Sequence, residues 1–528
     1  MVALREEYAD VTRLEQGLAI ALVLVAIVLH VVFITHAGGL WRDEVSSLTT
    51  VSGSWSDQAR LLEFESFPTF WPIVLRGWIA LGGGASDATL RAFGALGGLC
   101  LVAAVWFVLR RLGKSVPLLS LALVAVNPEI IRWGASVRAW SVGAALVLVL
   151  IVLVWEAAQR WSGKHVILAI GVAVAATQTV YQNLVLVAAP IGCAMAGAWS
   201  RRVWRSFAAL AAVGLICAAS LLPYSGIISR RRDWNRLSET PQTIAAMTSR
   251  LWEVLQSAGW VVAAIWIAML VVAVACLTRP STERAARAYA IAVCALCTGA
   301  LLVFYLLFRL PTQRWYYVSL AAIIAVTAET VMVLSGGAGL RRLRTSLAIL
   351  VVIAGIGPTV RALQRPQTNV DVLARHLFAN ATPADLVVVF PWVYGVSFTY
   401  YDRGPADAMT IPPLADVRAH RYDLLKAAMF DPDALRPLLE RLQSVLSAGG
   451  RVWVVGELPR VPAFARITRP GPPPLPATGW GSDPYEASWS QEVSRFFAVH
   501  ATSRRAVPIP EASDALEAPA LTVFEGWK

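Results

Sequence analysis

Hydrophobic positions in the first two thirds of the chain fall into long unbroken runs, each closed by charged or turn-forming residues. Such runs occupy 18–35, 90–109, 116–131, 139–155, 166–180, 184–199, 207–222, 260–277, 288–308, 316–334 and 347–360. Each is close to the ~17–25 residues a helix needs to cross a bilayer, which predicts about eleven transmembrane helices. A further apolar stretch, 68–83, carries Arg76 at its centre and is flanked by Pro and Gly, so it is expected to lie as an amphipathic helix in the interface. Past residue 360 the runs shorten. VVVF at 387–390 and RVWVVGEL at 451–458 read as buried strands, 370–378 and 432–446 have helical spacing, and the Pro-rich 469–479 reads as a loop. The predicted fold is a polytopic α-helical membrane protein, 1–359, followed by a soluble α/β domain, 360–528.

Composition sharpens this division. The chain is 57% hydrophobic and 15% charged, with a mean hydropathy of +0.59, against about 25% charged for a soluble domain; an ordinary soluble enzyme is excluded. Residues 360–528 hold 17 basic and 17 acidic side chains, so the whole net charge of +12 lies in 1–359. It is concentrated in alternate loops: Arg110, Arg111 and Lys114; Arg160 and Lys164; Arg201, Arg202 and Arg205; Arg279, Arg284 and Arg287; Arg341, Arg342 and Arg344. The positive-inside rule assigns these loops to the cytoplasm. The expected protein is therefore a multi-pass protein of the plasma (inner) membrane with a cytoplasmic N-terminus, an outer loop at 36–89 and an extracytoplasmic C-terminal domain. Counting 68–83 as a span would put most of the arginines outside. The first apolar run continues without a small-residue cleavage site and reads as an anchor, not a removable signal.

All six cysteines sit in apolar runs, and 360–528 has none. The CxxC of Cys294 and Cys297 has no further ligand nearby and reads as small residues on a buried helix. No nucleotide fingerprint is present, and nucleic acid is not an expected partner.

The candidate chemistry gathers on the outer side. Asp43 and Glu44 follow the first span by a few residues in GGLWRDEVSS; alone, such a pair is usually a solvated interfacial charge. Arginines there run against the positive-inside trend: Arg138 before the fourth span, Arg309 and Arg314 around a proline, and Arg230, Arg231 and Arg232 opening the 223–259 loop. Transfer of a sugar from a lipid phosphate to a hydroxyl needs both kinds of group. A carboxylate accepts the hydroxyl proton, contributing ~10²–10⁴-fold, and fixed guanidinium forks stabilise the leaving phosphate. Asp43 is the candidate base; Glu44 is placed to orient the acceptor, and a divalent cation, if one takes part, would fall to Asp43 and Glu44. The rival reading, a transporter, calls for charge at mid-membrane depth, and Glu329 in the tenth span is the main such residue.

The order of segments carries a resemblance. GGLWRDEVSS is followed by EFESFPTFWPIVLRGWIALGGGASDATLRAFGALGG, a span and RRLGK, then by NPEIIRWGASVRAWSVG and RLPTQRWYYVSL. This is similar to the GT-C membrane glycosyltransferases, especially the bacterial branch related to protein O-mannosyltransferases and the aminoarabinose transferase of lipid A. It covers most of 1–359 in order and spacing. The resemblance implies an enzyme that takes a sugar from a polyprenyl-phosphate donor, within membrane lipid, to a glycan, lipid or protein acceptor of the cell envelope. It implies Asp43 and Glu44 as the acidic pair; the outer arginines Arg138, Arg314, Arg230, Arg231 and Arg232, with Tyr316, are the expected donor-phosphate residues on their charge and place, with lipid headgroups or pairing to Asp233 and Glu239 as the arginines' alternative role. Tyr316 has the aromatic belt as its alternative role. Two departures stand out. Phe67-Pro68-Thr69 occupies the place of a frequent His-Pro-Pro, and Ser136 precedes Arg138 where an acidic residue is common, with Trp140 where Tyr is common. Glu129, one or two turns earlier, is the candidate second acid; an inactive scaffold of the same fold is the other reading.

Overall fold

The computed structural model describes residues 2–235, 237, 243–477, 479–509 and 516–528, and of 2–12 and 231–235 the backbone alone. The side chains of Arg231 and Arg232, expected at the donor phosphate, therefore lie outside the described residues. The chain forms two compact units. One comprises Met1–Thr35, Ser66–Ser225 and Gln242–Gln364; the other His36–Glu65, Gly226–Pro241 and Arg365–Lys528.

The first unit is helical. Among the described residues nine helices are long and apolar enough to cross a membrane: Arg13–His36, Asp87–Arg111, Trp140–Gln159, Asn183–Ser200, Trp204–Arg230, Trp260–Thr278, Arg284–Phe308, Arg314–Leu334 and Ala338–Leu363. The two other expected spans differ in form. Gly163–Thr179 is a single helix of 17 residues. The run at 116–131 is broken into Leu119–Ala125 and Pro128–Gly134. The residue before a proline is pushed out of the helical region, and Asn127 sits at φ −90°, ψ 115°.

A broken helix in an apolar interior must have its freed backbone groups satisfied. Asn127 Oδ1 accepts from the Ile130 amide at 3.0 Å while its Nδ2 donates to the Val254 carbonyl at 2.7 Å. Thr359 Oγ1 donates to the carbonyl of Val126 at 2.6 Å. At the start of the first piece, the amides of Leu118, Leu119 and Ser120 donate to the Glu329 carboxylate at 2.9, 3.1 and 2.8 Å. Glu329 is fully buried, and Arg344, 3.5 Å away, links it to Glu15 at 2.8 Å. The one carboxylate deep in the tenth span is thus a helix cap within an ion-pair network. The predicted interfacial helix at 68–83 is Phe70–Trp78, followed by the wider turn Ile79–Gly83.

The second unit is an α/β layer structure. Its five strands are β1 (Leu386–Val389), β2 (Asp407–Thr410), β3 (Val452–Val455), β4 (Ala501–Val507) and β5 (Leu521–Trp527), in the order β2-β1-β3-β5-β4. β2, β1 and β3 are parallel, while β5 and β4 are antiparallel to their neighbours. Side chains alternate across the sheet. Leu386, Val388, Val452 and Val454 pack on Leu438 and Leu442 of Arg436–Ser447 and on Val493 and Phe497 of Asp483–His500. Val387, Val389, Trp453 and Val455 pack on Leu373 and Leu377 of Val370–Asn380 and on Phe398. The segment after the first span is sewn into this unit. The Gln367 amide donates to the Ala37 carbonyl at 2.9 Å, and the Leu40 amide to the Tyr401 hydroxyl at 2.5 Å.

Candidate active site

Asp43 and Glu44 occupy the first turn of the helix Arg42–Ser52 in the second unit. Adjacent positions on a helix point about 100° apart, and here the pair divides accordingly. Glu44 is fully buried and its Oε2 accepts from the Trp41 amide at 3.4 Å, closing the start of its own helix. Asp43 keeps 19% of its side chain exposed. His420 Nε2 lies 3.5 Å from Asp43 Oδ1, and Arg42 Nε 3.9 Å from the same oxygen. His420 is buried at 8% exposure and stacks on Tyr422 at 6.0 Å. The carboxylate thus stands between an imidazole and a guanidinium, with Glu44 turned into the core.

The helix start is fixed by a second carboxylate. Arg42 donates its amide to Glu517 Oε2 at 3.3 Å and places Nη1 3.7 Å from Oε1, which also accepts from Ser397 Oγ at 2.9 Å. Burial pushes the Glu517 carboxyl up to about 7, against the opposing pull of Arg42 and Ser397. Arg230 donates Nε to Glu63 at 2.7 Å in the same unit, on an exposed surface.

The remaining predicted residues lie in the first unit. Glu129 is buried at 3% exposure and serves three donors: Arg132 Nη1 and Arg314 Nη1, each at 3.2 Å to Oε1, and the Trp133 indole at 2.8 Å to Oε2. Arg314 also lies 3.9 Å from Glu253, which Arg250 grips through both oxygens at 2.9 and 3.0 Å. Arg314 keeps about a quarter of its side chain exposed. The structure therefore joins Glu129 to Arg314, and the Glu129 charge is spent on holding two guanidiniums. Tyr316 lies in an aromatic cluster, 5.1 Å from Trp140 and 5.8 Å from Tyr305, its carbonyl accepting from Gln182 at 3.2 Å.

Arg138 is buried at 5% exposure. Its Nη2 donates to Ser66 Oγ at 2.8 Å and its guanidinium covers the ring of Phe67 at 4.9 Å. Phe67 is thus the cation–π floor under Arg138. Ser136 is fully buried in the preceding turn, whose carbonyls at Ala135 and Ser136 press on Gly94 so closely that a methyl there would collide. Position 136 is packed against a helix, where an unpaired carboxylate would pay several kcal/mol in desolvation.

Sequence reasoning missed His420, Glu517 and the Arg250–Glu253 pair. His420 carries a weak signal, one of six histidines set among arginines in VRAHRYD; nothing local marks Glu517. Among the described residues no group of three His, Cys, Asp or Glu side chains is placed to hold a metal ion.

Nine membrane-length helices among the described residues and an appended α/β layer make up a fold shared with a solved protein of the GT-C superfamily. Among solved structures the chain is similar to ArnT, an aminoarabinose transferase, from Cupriavidus metallidurans. The TM-score is 0.55 for the apo state and 0.53 for the form bound to undecaprenyl phosphate, at 14% identity over 83% of this chain and 93% of that one. The Archaeoglobus fulgidus oligosaccharyltransferase tethered with an acceptor peptide also matches, with a TM-score of 0.47 at 11% identity over 84% of this chain and 69% of that one. At these identities the likeness is one of fold. No family model and no curated protein matches the chain.

Proposed function

We propose that the protein is a glycosyltransferase that moves a sugar from a polyprenyl-phosphate donor to a hydroxyl of a cell-envelope acceptor at the outer face of the membrane. The observation that carries this reading is the shared fold with an aminoarabinose transferase bound to undecaprenyl phosphate. In the reaction the acceptor hydroxyl gives its proton to Asp43 as its oxygen bonds to the anomeric carbon. The bond from that carbon to the phosphate oxygen breaks, and polyprenyl phosphate leaves with the electron pair. Asp43 suits the role because it is the member of the acidic pair with an exposed carboxylate edge, while Glu44 is committed to the helix start. Arg314 and Arg138 are assigned to the donor phosphate, preorganised by Glu129 and by Ser66 and Phe67 respectively. Arg230, exposed and paired to Glu63, acts in electrostatic steering. In this reading 1–359 is the membrane domain, apart from the 36–65 segment that folds with the second unit, and 360–528 is the outer domain.

The capping role of Glu329 leaves the transport reading without its main residue. The test is incubation of purified protein with a panel of polyprenyl-phosphate sugars, reading release of polyprenyl phosphate. Release that requires both protein and a particular sugar is expected. No release across the panel, with or without membrane extract as acceptor source, would overturn the reading.

A further inference from the structure

The second unit contains a cavity of about 430 Å³ lined largely by charged side chains. One wall comes from the segment that follows the first span: Thr49 and Ser52 at the end of the Arg42–Ser52 helix, with Asp57, Arg60, Glu63 and Phe64 beyond it. The other wall is the short segment carrying Asp416, Arg418, Arg421 and Asp423. Both walls lead to Asp43. Asp43 lies on the same helix as Thr49, and six residues at about 1.5 Å rise put it roughly 9 Å away along the axis. His420, which touches Asp43, lies between Arg418 and Arg421 in the chain.

Charge around the cavity is dense, mixed and ordered. Arg418 grips Asp416 through Nε and Nη2 at 3.0 and 3.2 Å. Arg421 grips Asp423 at 2.8 and 2.6 Å, reaches Asp416 at 3.0 Å and lies over the Phe64 ring at 5.4 Å. Asp57 pairs with Arg60. Burial works against the Asp416 charge, but hydrogen bonds from Arg418 and the charges of Arg418 and Arg421 hold its carboxyl below the usual range. Four carboxylates and three guanidiniums line one space. A phosphate entering it would meet the carboxylates, and a metal ion or ammonium would meet the guanidiniums. A neutral polyhydroxyl compound satisfies both kinds: each hydroxyl donates to a carboxylate oxygen and accepts from an arginine N–H, while Phe64 and Leu61 offer an apolar edge to its C–H face.

We infer that this cavity, between the Thr49–Phe64 segment and the Asp416–Asp423 segment, binds the saccharide part of the acceptor and presents one of its hydroxyls towards Asp43. The inference rests on the glycosyl-transfer reading and adds the acceptor class: a glycan, not a peptide or a bare lipid. Donor and acceptor sugar then have separate sites, so loss of one leaves binding at the other intact.

The experiment is saturation-transfer NMR on the full-length protein in nanodiscs, with pentose and hexose tetrasaccharides as probes, alongside a matched peptide and inorganic phosphate. At least one tetrasaccharide should bind in the millimolar range. Binding should fall at least tenfold in Asp416→Asn and in Ser52→Trp, which fills the cavity from the opposite wall, without a change in melting temperature. If Asp416→Asn unfolds, Ser52→Trp alone decides, since Ser52 is exposed at a helix end and tolerates a larger side chain. Tetrasaccharide binding that survives Ser52→Trp, no binding by any tetrasaccharide, or preference for peptide or phosphate would overturn the inference. Binding needs no turnover, so a cavity that takes sugar in a protein that transfers none would refute the glycosyl-transfer reading and leave the site standing.

Discussion

Individual residues in this protein are defined by what their neighbours leave them free to do. Glu44 and Asp43 are the same chemistry one position apart, yet one caps a helix in the core and the other faces an imidazole at the surface. The imidazole beside Asp43 could not be foreseen, because His420 reaches it from a distant part of the sequence. Arg138 and Arg314 were legible as misplaced cations; that Phe67 and Glu129 hold them was not, since both contacts are made by packing. Replacing Arg314 by Ala should weaken donor binding by about 10- to 150-fold, the ~1.5–3 kcal/mol of a charge-assisted contact, with Lys restoring only part because it lacks the fork. Unchanged donor affinity at low and high salt would remove Arg314 from the site. Glu517 gives a pH prediction. Its folded pKa, about 7, lies above the ordinary value of 4.5, so the folded state binds the extra proton and its contribution is lost as pH rises through 7. Glu517→Gln should therefore melt progressively higher than wild type as pH rises from 5 to 8, and a difference that stays flat over that range would contradict the raised value.

Among elements, the continuous apolar runs announced themselves, because bilayer thickness sets a length that composition alone reveals. The broken helix did not. Its Asn127-Pro128 signal is plain in the sequence, but the run around it is apolar enough to mask it, and the groups that make the break tolerable come from Thr359, Val254 and Glu329 on other helices. Strands β1 and β3 were readable as buried apolar runs. β4 is exposed along its middle and β2 over its first two residues, so neither has the buried run or the alternation that marks a strand. Glu329→Ala should lower the melting temperature in detergent, since it strands three buried amides and an arginine at a cost of about 3–5 kcal/mol. A melting temperature equal to wild type would show that water or Glu15 satisfies the cap unaided.

For the whole molecule, the partition into a membrane part and an α/β part was visible in charge and hydropathy alone. What could not be read was that residues 36–65 fold with the chain after residue 364, because the join is made by backbone hydrogen bonds such as Gln367 to Ala37. The orientation of the membrane part is testable: cysteines at 201 and 341 should be shielded from a membrane-impermeant reagent in intact cells, and one at 528 labelled. Shielding at 528 would invert the assignment and place Asp43 in the cytoplasm. The central claim is that Asp43 is the base of a glycosyl transfer, and it is tested most directly by polyprenyl-phosphate release in wild type and Asp43→Asn, each at a matched melting temperature. The account predicts a loss of about 100-fold or more in the variant with donor binding retained; a variant that keeps more than about a tenth of wild-type release would contradict it.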